Sequence, residues 1–240
     1  MWCWVTVTSE LKNRIPVIGI LGGTFNPIHF GHLRMAQELA DVLNLEEVRF
    51  IPSANPPHKH APIVSAEHRA EMVSLGIANN SLFTFDDREL HRTGASYTVD
   101  TLQSLRGELG ENISLVLLMG SDAFTKLNTW HQWEKLIQLC HIALVQRPRT
   151  SAKEVALGDD ISEKQPLPKI LETFLHNHYT ENGDDLHETA SGFITMQPMI
   201  ALDISSTAIR QTLQNKHSAR YLMPDNVIDY IHHHQLYNAL

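Results

Sequence analysis

The chain has 240 residues, 42% hydrophobic and 19% charged, with 19 Lys and Arg against 27 Asp and Glu and a formal charge of −8. That length suits one α/β domain with an appendage, the apolar share supports a real core, and the acidic balance excludes a general binder of nucleic acid or acidic membrane. Two Cys, at positions 3 and 140, exclude a disulfide scaffold and leave no zinc pattern, while the use of fifteen His stays open.

Residues 1–14 begin with apolar Met1-Trp2-Cys3-Trp4-Val5 but lack the basic start, the continuous apolar run and the cleavage site of a signal peptide, so they read as an N-terminal extension. No stretch approaches the roughly 20 apolar residues of a spanning helix. A cytoplasmic location is expected. Residues 15–240 read as a single domain. Its first element is a strand, Ile15 to Leu21, apolar on both faces and closed by Gly22-Gly23. A helix over 31–43 follows, with Leu33, Ala36, Leu39, Ala40 and Leu43 at helical spacing. Val48 to Pro52 is a second strand, 65–78 a helix capped by Ser65, and Phe83-Thr84-Phe85 a short third strand. A helix over 97–109 leads to the clearest strand, Ile113 to Met119; a helix over 132–139 leads to the strand Ile142 to Val145.

Residues 151–192 are polar and carry turn signals around one amphipathic piece, Ile170 to Leu175, and read as an insertion or peripheral segment. Strand character resumes at Phe193 to Met196, and helices at about 205–214 and 224–235 close the chain. Alternating strands and helices imply βαβ units. The fold class is therefore α/β, a doubly wound, mostly parallel sheet with a small C-terminal helical part.

The segment Gly22-Gly23-Thr24-Phe25-Asn26-Pro27-Ile28-His29-Phe30-Gly31-His32 lies at the carboxyl end of the first strand, where such sheets hold ligands. Two glycines admit close approach, the next helix opens near Gly31 with free N–H groups, and His29 and His32 are spaced to share one side of its first turn. Imidazoles stand where a P-loop would place a lysine. Far along the chain, Ile204-Ser205-Ser206-Thr207-Ala208-Ile209-Arg210 offers a capped helix start with Arg210 in the first turn, a second phosphate-binding pattern.

These strings resemble the nucleotidyltransferases with the HxGH motif, in the branch of the nicotinate-nucleotide adenylyltransferases. The resemblance spans about 16–150 and 193–237. It implies a Rossmann-like fold and transfer of AMP from ATP to nicotinate mononucleotide, giving deamido-NAD and pyrophosphate in NAD biosynthesis. Mg²⁺ would arrive with ATP, with no protein metal cage. It assigns His29, His32, Lys59 and Arg210 to the reacting phosphates. Gly22, Gly23, Thr24, Phe25, Gly120, Asp122, Ile204, Ser205, Ser206 and Thr207 would hold ATP. Asn55, Lys59, Tyr97, Thr98, Trp130 and Arg147 would hold nicotinate mononucleotide. The carrying strings are Asn55-Pro56-Pro57-His58-Lys59, Ser96-Tyr97-Thr98-Val99-Asp100-Thr101-Leu102, Gly120-Ser121-Asp122 and the pair Trp130 and Trp133. Gln146 stands before Arg147 where the family often has a second base. His232-His233-His234 reads as helix surface.

Two other readings share these residues: an adenylyltransferase for nicotinamide mononucleotide, and a non-catalytic nucleotide sensor. A class I synthetase core is disfavoured by the absence of a Lys-Met-Ser-Lys-Ser string. The partners implied are ATP and nicotinate mononucleotide, without nucleic acid or membrane; self-association into homo-oligomers stays open.

Overall fold

The computed structural model describes residues 14–57, 62–146, 167–199 and 202–238. Six strands form one sheet: β1 (Val17–Gly23), β2 (Glu47–Pro52), β3 (Phe83–Phe85), β4 (Ser114–Gly120), β5 (His141–Gln146) and β6 (Ile194–Pro198). Their order is β3-β2-β1-β4-β5-β6 and every neighbouring pair is parallel. This is the doubly wound order, which reverses direction between β1 and β4 and leaves a crevice there.

The two-residue side-chain period sorts the core into two layers. Val17 and Leu21 of β1, Val116 and Leu118 of β4, and Ala143 and Val145 of β5 enter one cluster. The residues between them, Ile18 and Ile20, Leu115 and Leu117, and Ile142 and Leu144, enter the other. The first layer is closed by α1 (Phe30–Leu43), α2 (Ala66–Ile77), α7 (Ser206–Gln214) and α8 (Asp225–His233). The second is closed by α3 (Thr98–Leu109), α4 (Ser121–Phe124), α5 (Leu136–Leu139) and α6 (Lys169–His178). A central strand covered on both faces must be apolar at every position, which is why β1 and β4 read as continuous runs.

Most expected elements match within two residues. The helix expected over 132–139 is a 3-10 turn, Trp133–Lys135, followed by α5 alone. Of the polar stretch 151–192, residues 151–166 lie outside the described residues. The remainder carries α6, whose Leu171 and Leu175 are buried against the sheet between β5 and β6. The N-terminal extension also lies outside them, apart from Arg14. No helix among the described residues is long and apolar enough to cross a membrane.

The ring of His141, at the start of β5, is fully buried. Its Nδ1 accepts the Phe193 N–H at 3.0 Å and its Nε2 donates to the Thr189 carbonyl at 2.8 Å, a pattern only the neutral ring can make. Burial lowers its pKa to about 4, and that of buried His29 likewise to about 4. Between pH 6.5 and 4 the unfolded chain therefore takes up protons that the folded chain refuses, and stability falls as the pH drops through that window. Each ring is worth roughly 3 kcal/mol across the whole window. Thermal melts are expected to shift down by roughly 10–20 °C between pH 7 and pH 4.5; a flat profile would show that these rings are protonated in the folded protein.

Candidate functional site

At the reversal point of the sheet a cleft of about 550 Å³ opens at the carboxyl ends of the strands. β1 contributes Gly22 and Gly23, β4 contributes Gly120, and α1 contributes His32. The far wall carries Tyr97, Thr98, Asp122 and Trp130. A Cβ at Gly22 would meet nothing within 4 Å, so this glycine leaves its strand end open to the cleft.

The turn after β1 is tightly built. Phe25 adopts φ 45° and is 2% exposed, so it supports the site from below, its ring edge-on to His32 at 5.1 Å between centroids. His29 caps α1 in an extended conformation, and its ring stacks on His32 at 3.7 Å. The His29 N–H donates to His32 Nδ1 at 3.3 Å. A neutral His32 with an accepting Nδ1 carries its proton on Nε2, as a donor. His29 is 5% exposed, its Nδ1 has no hydrogen-bond partner among the described residues, and burial keeps it uncharged near neutrality. Gly31 stands against the His29 ring: a Cβ there would lie 2.9 Å from His29 Nδ1 and 3.4 Å from the Ile204 carbonyl. Only hydrogen fits there, and the motif's glycine follows from that contact.

The second phosphate pattern meets this turn from the other end of the chain. Ser205 caps α7, its hydroxyl accepting the Ala208 N–H at 3.2 Å. The Ser206 hydroxyl donates to the Pro27 carbonyl at 2.9 Å, and Arg210 donates to the Asn26 carbonyl at 2.8 Å and to Thr207 Oγ1 at 3.3 Å. Tyr237 adds a bond from its hydroxyl to Asn26 Oδ1 at 2.6 Å. Ile204, Ser205, Ser206, Thr207 and Arg210 thus flank the His29–His32 turn, outside the cleft wall itself.

On the pyridine side, Asn55 is tied down by Ser96 and Gly94, accepting the Ser96 N–H at 2.9 Å and donating its side-chain amide to the Gly94 carbonyl at 3.2 Å. Its neighbours Pro56 and Pro57 line the cleft. Tyr97 precedes the first residue of α3, Thr98, and its ring leans on His131 at 4.3 Å. Trp130 faces the cleft, whereas Trp133 packs on Phe174 at 5.0 Å. Lys59 and Arg147 lie outside the described residues. His232 and His233 are exposed at the end of α8.

One cleft residue and one residue behind the cleft escaped the sequence reading. Glu89 is 5% exposed in the cleft wall and accepts the Thr101 hydroxyl at 2.6 Å; burial pushes its carboxyl above the usual range. Arg69, on α2, is 1% exposed and donates to the Thr24 carbonyl at 2.7 Å, directly behind the phosphate turn. A signal for Arg69 was present: it shares a helical stripe with Met72, Val73 and Ile77, where a charge is out of place unless it has buried partners. Among the described residues no group of three or more His, Cys, Asp or Glu is placed to hold a metal.

The arrangement places the His32 imidazole on a glycine-floored crevice with an aromatic wall opposite, and sets a helix start and a guanidinium behind the turn that carries it. That set suits phosphate groups at one end and a flat ring at the other. Comparison with known proteins places the chain in a family. The cytidylyltransferase-like family model matches residues 20–212. A protein of Dechloromonas aromatica named "Probable nicotinate-nucleotide adenylyltransferase" is 44% identical over 220 residues, covering 92% of this chain and 97% of that one. A protein of the same name from Pseudomonas syringae pv. tomato is 43% identical over 222 residues, covering 92% of this chain and 94% of its own. Among solved structures, Plasmodium falciparum nicotinic acid mononucleotide adenylyltransferase complexed with NaAD superposes with a TM-score of 0.67 at 20% identity, covering 92% of this chain and 97% of that one.

Proposed function

We propose a function from one premise: the chain belongs to the cytidylyltransferase-like family and, within it, to the nicotinate-nucleotide adenylyltransferases. The protein is a nucleotidyltransferase that moves AMP from ATP to nicotinate mononucleotide, giving deamido-NAD and pyrophosphate in NAD biosynthesis. The observation that carries the reading is the cleft at the strand-order reversal, with His32 on its phosphate wall and Tyr97, Thr98 and Trp130 on the other.

The reaction needs no protein nucleophile. A 5′-phosphate oxygen of the mononucleotide bonds to the α-phosphorus of ATP, and the bond from that phosphorus to the β-phosphate oxygen breaks as pyrophosphate leaves. The protein's task is placement and charge stabilisation. In our assignment His32 donates from Nε2 to a phosphate oxygen, and stacked His29 holds that ring in register. Arg210 and the α7 start, with Lys59, meet the remaining charge. Gly22, Gly23, Thr24 and Phe25 shape the turn around the triphosphate, and Asp122, beside Gly120, accepts from ribose hydroxyls. Tyr97, Thr98 and Asn55 frame the pyridine end, Trp130 is the stacking platform, and Arg147 adds charge.

Family members of this kind use a divalent ion with ATP, and Mg²⁺ is the ion we propose. The donor set fits an ion carried on phosphate oxygens: imidazole, amide and hydroxyl groups suit the phosphates, while a hard cation prefers the oxygens of the nucleotide itself. When bound, it would offset negative charge on those oxygens. A cytoplasmic site of action belongs to the same proposal.

The deciding experiment supplies purified protein with ATP, Mg²⁺ and either nicotinate or nicotinamide mononucleotide, and follows pyrophosphate. Release is expected with the acid; no release with any pyridine mononucleotide would sink the reading. Trp130→Ala tests the platform. Removing a stacking ring is expected to raise the KM for the mononucleotide about tenfold or more and to leave the KM for ATP within about twofold. Equal changes in both constants would move the platform elsewhere.

A further inference from the structure

Arg69 carries a charge in the interior with no ion pair among the described residues, Glu67 acting on it only at longer range. Its hydrogen bonds among the described residues all run to main-chain carbonyls: Thr24 at 2.7 Å, Ala54 at 3.2 Å and Val64 at 3.4 Å. It forms no ion pair there. Burial lowers its pKa, yet a guanidinium stays charged at neutral pH. Buried charges are ordinarily paired, because desolvating one costs several kcal/mol. Stability alone does not account for placing one here.

The three carbonyls explain what it does. Thr24 belongs to the turn assigned to the ATP phosphates. Ala54 immediately precedes Asn55-Pro56-Pro57, assigned to the mononucleotide, and Val64 precedes the Ser65 cap of α2. One planar fork therefore spans both half-sites. Its grip on the Thr24 carbonyl also fixes the next peptide plane, turning the Phe25 N–H to the opposite side.

We propose that Arg69 is a positioning residue of the transfer reaction, a clamp that holds the ATP turn and the mononucleotide loop at one separation so that filling either half-site favours filling the other. This rests on the function proposed above. A second arginine supplies the control. Arg106 likewise donates to carbonyls, those of Leu139 at 2.8 Å, Ile113 at 2.5 Å and Ala190 at 2.6 Å. Those residues precede β5, β4 and β6, at the end of the sheet away from the cleft. Its clamp is structural only.

The test compares wild type, Arg69→Lys, Arg69→Met and Arg106→Lys. Calorimetry measures the Kd of nicotinate mononucleotide with and without a non-hydrolysable ATP analogue, and pyrophosphate release gives kcat. In wild type the analogue is expected to tighten the mononucleotide at least fivefold. In both Arg69 variants this factor is expected to fall to within about twofold of one, and kcat to fall about 10–100-fold, as for a small misplacement of reacting groups. The lysine variant keeps the charge but not the fork, and it decides the matter if the methionine variant does not fold. Arg106→Lys is expected to lower the melting temperature and leave the coupling factor unchanged. Wild-type coupling and kcat in Arg69→Lys would overturn the proposal, as would absence of coupling in wild type. Absence of wild-type turnover with any pyridine mononucleotide would instead overturn the function, and the binding data would still judge the clamp.

Discussion

His32→Ala is expected to lower the rate of pyrophosphate release by about 10²–10³-fold, the usual cost of one preorganised donor to a charge that grows in the transition state. The fold should survive, because His32 is only partly buried and the apolar face of α1, at Ala36, Leu39, Ala40 and Leu43, is untouched. What disappears is a ring held on three sides. The His29 ring stacks on it, the Phe25 edge meets it, and the His29 N–H occupies its Nδ1. Those contacts leave Nε2–H as the donor and fix its direction. Pyrophosphate release and a thermal melt on the same preparation check this. Turnover within about threefold of wild type would mean that the cleft's phosphate wall has been assigned to the wrong ring.

Gly31→Ala is the second large effect, and here activity and stability should part. In the first turn of a helix, alanine is favoured over glycine by up to about 1 kcal/mol, so the helix itself gains. The added methyl, however, would sit 2.9 Å from His29 Nδ1 and 3.0 Å from its Cε1, with the Ile204 carbonyl 3.4 Å away. His29 cannot withdraw without pushing the ring stacked 3.7 Å from it. Both imidazoles then leave their places, and the chain entering α7 is pressed as well. The expected result is a fall of about 10²-fold in kcat/KM for ATP, as for a displacement of about 1 Å at a reacting group. The melting temperature should stay near that of wild type. The assignment would be falsified if the variant kept wild-type kcat/KM.

The parts legible in the sequence were those with local causes. β1 and β4 are apolar on both faces because both faces are covered, and alternating strands and helices gave the parallel α/β sheet; the order β3-β2-β1-β4-β5-β6, which places the crevice, was not legible. The His29-to-His32 string and the α7 start could be read because a helix N-terminus has orphan N–H groups wherever it occurs. Parts with distant causes stayed hidden. Arg69 shows in the sequence only as a charge on an otherwise apolar helical stripe, and the three carbonyls that converge on it could not be read. Glu89 sits in a run of charged residues, and only the packing of α3 brings Thr101 against it. The Ile170-to-Leu175 run showed its amphipathic face but not the sheet that face covers. Arg210 was visible as a cation near a helix start; its bond to the Asn26 carbonyl, 184 positions away, was not.

That last bond has a consequence for the order in which the molecule comes into being. The turn after β1 emerges early in synthesis, yet its braces come from Ser206, Arg210 and Tyr237. No N-terminal fragment shorter than 237 residues contains all of them. The first strands can pair and the cleft floor can form while the turn still lacks its outer supports. The shape of the phosphate site therefore waits on residues 179 to 211 positions downstream of the turn.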